Sequence, residues 1–346
     1  MNTCVFLIYD VKVSLTTNNF EFQNFVQGTL QNYRTGKQLD HKFQIDIYID
    51  FNKESQIKKS KFRVGNGVFL DETNKKIAVQ HKLFLGEFTK KGNHNLKVRG
   101  EVPSTIRNTF KHVIKSAAIN NYSYKEMLFH QLYRELVLMP VFWILRHKFE
   151  KYLMHASAVS DGKQTLVFLG NDGVGKTTVA LKFLQKEGMS FFGDNFLLYD
   201  SNEIHPFVDT LRVNKKDTSA IKAYKLSSLF KKVFEGKTRV HYNFSKDNIS
   251  KSAVPTHFYV LKQSDKNNKT PITSVQYINY TLAINDYVKE FDKYSYASNL
   301  IFLYDTKVNV EKQETESLLK LVSTKPCALL SLNKDEELFD LFNLDN

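Results

Sequence analysis

Nine consecutive residues, Gly170-Asn171-Asp172-Gly173-Val174-Gly175-Lys176-Thr177-Thr178, constrain this chain more than any other stretch. They match G-x-x-x-x-G-K-[ST] in full, with the apolar run TLVFL leading in and the amphipathic VALKFLQ leading out. A strand that turns into a helix through so short a loop needs glycines, whose backbone reaches angles closed to other residues. Successive N–H groups then face phosphate oxygens, and the helix N-terminus adds partial positive charge. In this pattern Lys176 reaches the β- and γ-phosphates and the Thr177 hydroxyl ligates Mg²⁺. The loop therefore predicts nucleoside triphosphate binding, with ATP and Mg²⁺ as cofactors, and leaves the preference for the base open.

Such a loop does not distinguish a motor, a switch and a kinase; the acid that completes the site does. Four candidates end or follow apolar runs: Asp194 in SFFGDN, Asp200 in NFLLYD, Asp209 in HPFVD and Asp305 in NLIFLYD. Asp305 has the setting of the second acidic motif of P-loop ATPases, or that of a buried strand ending at a polar turn. Asp194 follows the loop helix after one short strand, where a metal-binding or proton-transfer carboxylate is needed. His155, in LMHASAV, reads as a core histidine or as a site residue. His205 marks a turn or a substrate-side strand, and Arg212 is a surface residue or a neutralising charge for a phosphate.

His155-Ala156-Ser157-Ala158-Val159, the loop beginning 15 residues after the histidine, and Gly193-Asp194-Asn195 together resemble the catalytic core of the HPr kinase/phosphorylase family. Its wider relatives include small-molecule and peptide kinases and, more remotely, ATP-dependent phosphoenolpyruvate carboxykinases. The resemblance is clearest over residues 150–210 and extends over 150–346. It implies that family's P-loop fold for the C-terminal half, and transfer of the γ-phosphoryl group of ATP to a hydroxyl of a protein, peptide or small molecule. It also implies that Asp194 takes the proton from the acceptor hydroxyl and joins Thr177 at the metal, while His155 lies near the phosphates with Lys176. Two features depart from the family. Asp194-Asn195 stands where paired acids are common, and no Glu/Arg-containing loop for phosphorolysis is found downstream, so a simple kinase fits better than a bifunctional one. The alternatives are a signalling-type P-loop ATPase or nucleotide switch that uses Asp305, and a non-catalytic nucleotide-binding relative. The 129 residues between Lys176 and Asp305 count against the switch.

The chain's 346 residues, 42% of them apolar, are enough for about two domains. Short runs of period-two, β-branched or aromatic character (CVFLIYDVKVSL, KFQIDIYIDF, FRVGNGVFLD, IAVQHKLFLGEF and NLKVRGEV) predict a β-rich recognition or scaffold domain over 1–115. Leu128, Leu132, Leu136, Met139 and Trp143 share one helix face. They predict a helical connecting segment over 116–150, kinked or split by Pro140 and packed on the C-terminal domain. In the P-loop kinase-like domain, 151–346, LMHASAV pairs with TLVFLG, and MSFFGD with NFLLYD. HFYVLKQ, SVQYINY and NLIFLYD are further strands, with helices at 280–293 and 312–322. The fold class is α/β, a β-rich α+β domain preceding the P-loop domain.

Of the net charge of +13, residues 51–115 carry +10, from 15 Lys/Arg against 5 Asp/Glu. Lys outnumbers Arg 41 to 8, whereas base-edge reading favours Arg, which argues against a sequence-specific nucleic-acid reader. Solvated strand faces account for the stretch, or docking of an acidic protein or peptide acceptor. The most apolar run, Leu136 to Leu145, has 10 residues where a membrane span needs roughly 20. The first residues lack a basic n-region, and Cys4 and Cys327 form no thiolate metal set. A cytoplasmic protein is expected, with a homo-oligomer left open.

Overall fold

The computed structural model describes residues 1–35, 40–51, 62–65, 67–71, 73, 75–103, 124–208, 211–214, 227–234, 237–243, 249–287, 309–333 and 342. The chain is mixed α/β, mostly sheet, and divides into two units. One comprises Met1–Phe149 with Lys231–Arg239 and Lys293–Lys307; the other comprises Glu150–Phe230, Val240–Asp292 and Val308–Asn346.

The first unit holds β1 (Asn2–Ile8), β2 (Val11–Thr17), β3 (Phe43–Phe51), β4 (Phe62–Gly65), β5 (Val68–Asp71), β6 (Lys76–Gln80), β7 (Leu85–Lys91) and β8 (Asn95–Val102). They form one eight-stranded sheet in the order β1-β2-β3-β8-β7-β6-β5-β4, parallel at β2-β3-β8 and antiparallel elsewhere. Alternation is regular in β2 and β3, so one face is apolar and needs a cover. Helices supply it: α1 (Phe20–Thr29), and α2 (Tyr124–Leu132) running through a π-helical stretch (Tyr133–Leu138) into α3 (Met139–Phe149). Phe22 meets Phe51 and Phe129 with ring centroids 5.7 and 5.3 Å apart, and Trp143 meets Phe88 at 4.9 Å.

This differs from the expected packing, because the helical segment covers the sheet that precedes it. Helix α1 was not expected from the sequence, although Asn19 caps it by accepting the Phe22 N–H at 2.9 Å. Pro140 does not split the helix. Its ring crowds the carbonyl four residues back, and the turn before it widens to π spacing, with Met139 N–H bonded to Arg134 O. Gly86 and Gly100 stand opposite each other in β7 and β8, and a Cβ on either would lie 2.8 or 2.5 Å from a methyl of Leu136. The two glycines make the hollow that receives this leucine.

The basic stretch is not a uniform surface. Lys76 pairs with Glu87 at 2.8 Å, Arg99 with Glu101 at 3.0 Å, and Lys97 lies over the Tyr48 ring. Seven of its fifteen Lys/Arg fall outside the described residues. No helix among the described residues is long and apolar enough to cross a membrane, and Leu136 to Leu145 is buried helix.

The second unit holds β9 (Tyr152–Met154), β10 (Ala156–Ser160), β11 (Thr165–Leu169), α4 (Lys176–Leu184), β12 (Ser190–Gly193), β13 (Leu197–Tyr199) and β14 (Ile204–His205). β15 (Leu211–Asn214) comes next; β16 (Ser227–Phe234) and β17 (Lys237–Asn243) each fall partly in the first unit, which takes Lys231–Arg239. Then come β18 (His257–Gln263), β19 (Asn268–Ile272), α5 (Ser274–Tyr287), α6 (Val310–Val322) and β20 (Cys327–Leu332). A six-stranded sheet runs β12-β10-β11-β18-β20-β19, with β11, β18 and β20 parallel. Leu166, Phe168, Tyr259 and Leu261 join Val179 and Phe183 of α4 on one face. Val167, Leu169, Phe258 and Val260 join Tyr277 of α5 and Leu318 of α6 on the other. This makes three layers.

Two expectations change here. SVQYINY is the start of α5, not a strand. Thr273 and Gln276 form a reciprocal cap, with Gln276 N–H donating to Thr273 Oγ1 at 3.2 Å and Thr273 N–H to Gln276 Oε1 at 2.8 Å. MSFFGD and NFLLYD do not pair with each other. β12 joins β10 in the main sheet, while β13 joins β14 and β9 in a small separate one. The chain of LMHASAV changes sheets at His155. NLIFLYD, with Asp305, and Asp209 lie outside the described residues.

Candidate functional site

The loop from Gly170 to Thr178, His155, Asp194, Asp200 and His205 all lie in the second unit. The loop from Gly170 to Gly175 leaves the C-terminal end of β11 and enters α4. Gly173 and Gly175 have φ of 84° and 109°, a region that strains any side chain. A Cβ on either would meet nothing within 4 Å, so the space beside the loop is open. Gly170 is needed for another reason: a Cβ there would come within 2.6 Å of Val174 Cγ2 and 3.1 Å of Leu261 O. Gln263, ending the adjacent parallel strand, donates to Gly173 O at 2.7 Å and ties the loop to the sheet.

Lys176 is 4% exposed. Its Nζ donates to Gly170 O at 2.6 Å and Asn171 O at 3.1 Å, and lies 3.0 Å from His155 Nε2. An ammonium only donates, so this ring nitrogen accepts. Asp172, whose side chain is 84% exposed, places Oδ1 3.3 Å from the same nitrogen. Asp194 is 4% exposed and held at both oxygens, by Ser157 Oγ–H at 2.5 Å and Thr177 Oγ1–H at 2.8 Å. Val174 packs on the α4-side core, and Asn171 and Thr178 are exposed.

Local chain geometry explains Gly193-Asp194-Asn195. A Cβ on Gly193 would be 2.6 Å from the carbonyls of both Phe196 and Phe207. Asn195 has φ of 71°, which Asn tolerates better than most residues. The position where the resembling family commonly has a second acid is here a turn residue. His155 is fixed by Asn285 of α5, whose Oδ1 accepts the His155 N–H and whose Nδ2 donates to Leu153 O, both at 3.1 Å. Asn285 carried no local signal, being 130 residues from its partner; Ser157 was visible in the motif but without a role. A buried ammonium under an open glycine loop suits phosphate oxygens, and the Thr177 hydroxyl and Asp194 carboxylate are hard oxygen donors of the kind Mg²⁺ takes.

A second polar cluster surrounds His205, which is 3% exposed. Its Nε2 lies 2.7 Å from both Asp200 Oδ2 and Lys151 Nζ, and its Nδ1 2.7 Å from Ser252 Oγ. Burial lowers the His205 pKa, and Lys151 pushes the same way against the pull of Asp200. Burial alone would raise the Asp200 pKa, but N–H donors at Asn202 and Glu203 and the His205 bond outweigh it and lower it. Asp200, Glu203 and His205 offer ligand atoms within 4.8 Å of one another, a set with metal-binding composition whose positive charge Lys151 already supplies. The side chain of Arg212 lies outside the described residues. No family model matches the chain, and no curated protein matches it.

Proposed function

We propose that the chain is an ATP-dependent kinase of the HPr-kinase-like class, transferring a γ-phosphoryl group to a hydroxyl of a protein, peptide or small molecule. The observation that carries this reading is the convergence of Lys176, Thr177, His155 and Asp194 on one strand-to-helix loop. Bound Mg²⁺ and ATP supply the transferable group and a cation that spreads its charge. Lys176 contributes a fixed positive charge beneath the loop, and the loop backbone orients the phosphates. Thr177 and Asp194 are the residues to hold Mg²⁺. Asp194, clamped at both oxygens, meets an acceptor hydroxyl in one orientation and takes its proton.

The test is calorimetry of Mg·ATP binding. Lys176→Ala removes a point charge facing two phosphates and is expected to weaken binding by roughly tenfold or more, the worth of a charge-assisted hydrogen bond. Equal affinity in a folded variant would overturn the reading.

A further inference from the structure

Gln263 is the last residue of β18, the strand that runs parallel to β11 and next to it in the sheet. Its backbone is in register with Leu332 of β20, while its exposed side chain reaches the glycine loop and donates to Gly173 O at 2.7 Å, 90 residues away in sequence. A carbonyl only accepts, so Nε2 is the atom that faces the loop. The peptides of the loop are trans. In a trans peptide the carbonyl and the following N–H point in opposite directions. Fixing Gly173 O toward Gln263 therefore turns the Val174 N–H the other way.

That other side is where Lys176 presents its charge. The Val174 N–H points to Asn171 O at 3.4 Å, and Lys176 Nζ donates to the same carbonyl at 3.1 Å. Two donors that converge on one oxygen share a side of the loop. The Val174 contact is longer than an ordinary N–H···O bond, so this N–H retains capacity for a stronger acceptor such as a phosphate oxygen. Gly173 does not hold the orientation by itself. It lies at φ of 84°, a Cβ there would meet nothing within 4 Å, and without a side chain its ψ is little restricted, so the peptide between Gly173 and Val174 rotates unless it is pinned from outside the loop. We infer that Gln263 is a positioning residue for phosphate binding, its hydrogen bond to Gly173 O keeping the Val174 N–H aimed to the side on which Lys176 lies. The inference rests on the reading of this loop as a nucleotide site. It also narrows that reading, because the group so aimed meets the phosphate chain and neither base nor ribose. An orientation populated only part of the time lowers apparent affinity by that fraction, and the net worth of an ordinary hydrogen bond sets the factor at roughly three- to tenfold.

The experiment compares the full chain with Gln263→Met, which keeps the length and neutrality of the side chain and removes the donor, by calorimetric titration with Mg·ATP and with Mg·tripolyphosphate. Both ligands should weaken by the same factor, roughly three- to tenfold. The melting temperature should not change, since the side chain is exposed and the β18–β20 ladder is kept. In the nucleotide-free chain the Val174 amide resonance should move in Gln263→Met, and an affinity loss with that resonance unmoved would overturn the proposal. Lys176→Ala separates the two readings: weakened binding there with unchanged affinity in Gln263→Met would overturn the role of Gln263 and leave the nucleotide site standing. A loss for Mg·ATP with none for Mg·tripolyphosphate would put Gln263 at the base or ribose and overturn the phosphate role. No binding of either ligand by the unsubstituted chain would overturn both readings.

Discussion

Asp194 depends on its neighbours at the scale of single residues. Ser157 is fully buried and donates to one carboxylate oxygen. In Ser157→Ala that oxygen loses its donor, which should cost roughly 1–3 kcal/mol of stability by denaturant unfolding. Ser157→Thr, which keeps the hydroxyl, should recover much of this; equal losses in both would mean that packing rather than the hydrogen bond holds the carboxylate. Gly170 to Thr178 was legible in the sequence because each residue type there answers a local geometric demand. Asn285 was not, because its role exists only once α5 is packed against the bend at His155.

At the scale of elements, the strands of the first unit were legible from alternation, and the order of the sheets was not, since pairing partners lie far apart in sequence. The second half of α5 falls within the helix expected at 280–293, but its first half was misread because Tyr and Ile in SVQYINY suit a strand, while the Thr273/Gln276 cap that starts the helix is a weaker signal than the apolar run. The Leu136 hollow yields a prediction at this scale. Gly100→Ala places a methyl against Leu136, which cannot withdraw toward Gly86 without meeting that strand, and should cost roughly 1–3 kcal/mol. Adding Leu136→Ala should make the double variant less destabilised than the sum of the singles. Simple additivity would show that the leucine does not occupy the hollow.

At the scale of the whole molecule, stability should depend on pH through the His205 cluster. His205 and Asp200 both have folded pKa values below their ordinary 6.5 and 3.8, so the unfolded chain takes up their protons first. Their contribution is full above about pH 6.5 and is lost as pH falls, through His205 first and Asp200 later. His205→Asn should flatten the decline in melting temperature between about pH 7 and pH 5; an unchanged slope would assign the decline to other groups. The residues on which the proposed chemistry rests, His155, Lys176, Thr177 and Asp194, all lie in the second unit. The most direct measurement is single-turnover phosphoryl release or transfer at saturating Mg·ATP, comparing the full chain with Asp194→Asn. Loss of the carboxylate base predicts a rate lower by roughly 10²-fold with nucleotide affinity largely kept. An unchanged rate in the folded variant would contradict phosphoryl transfer through Asp194.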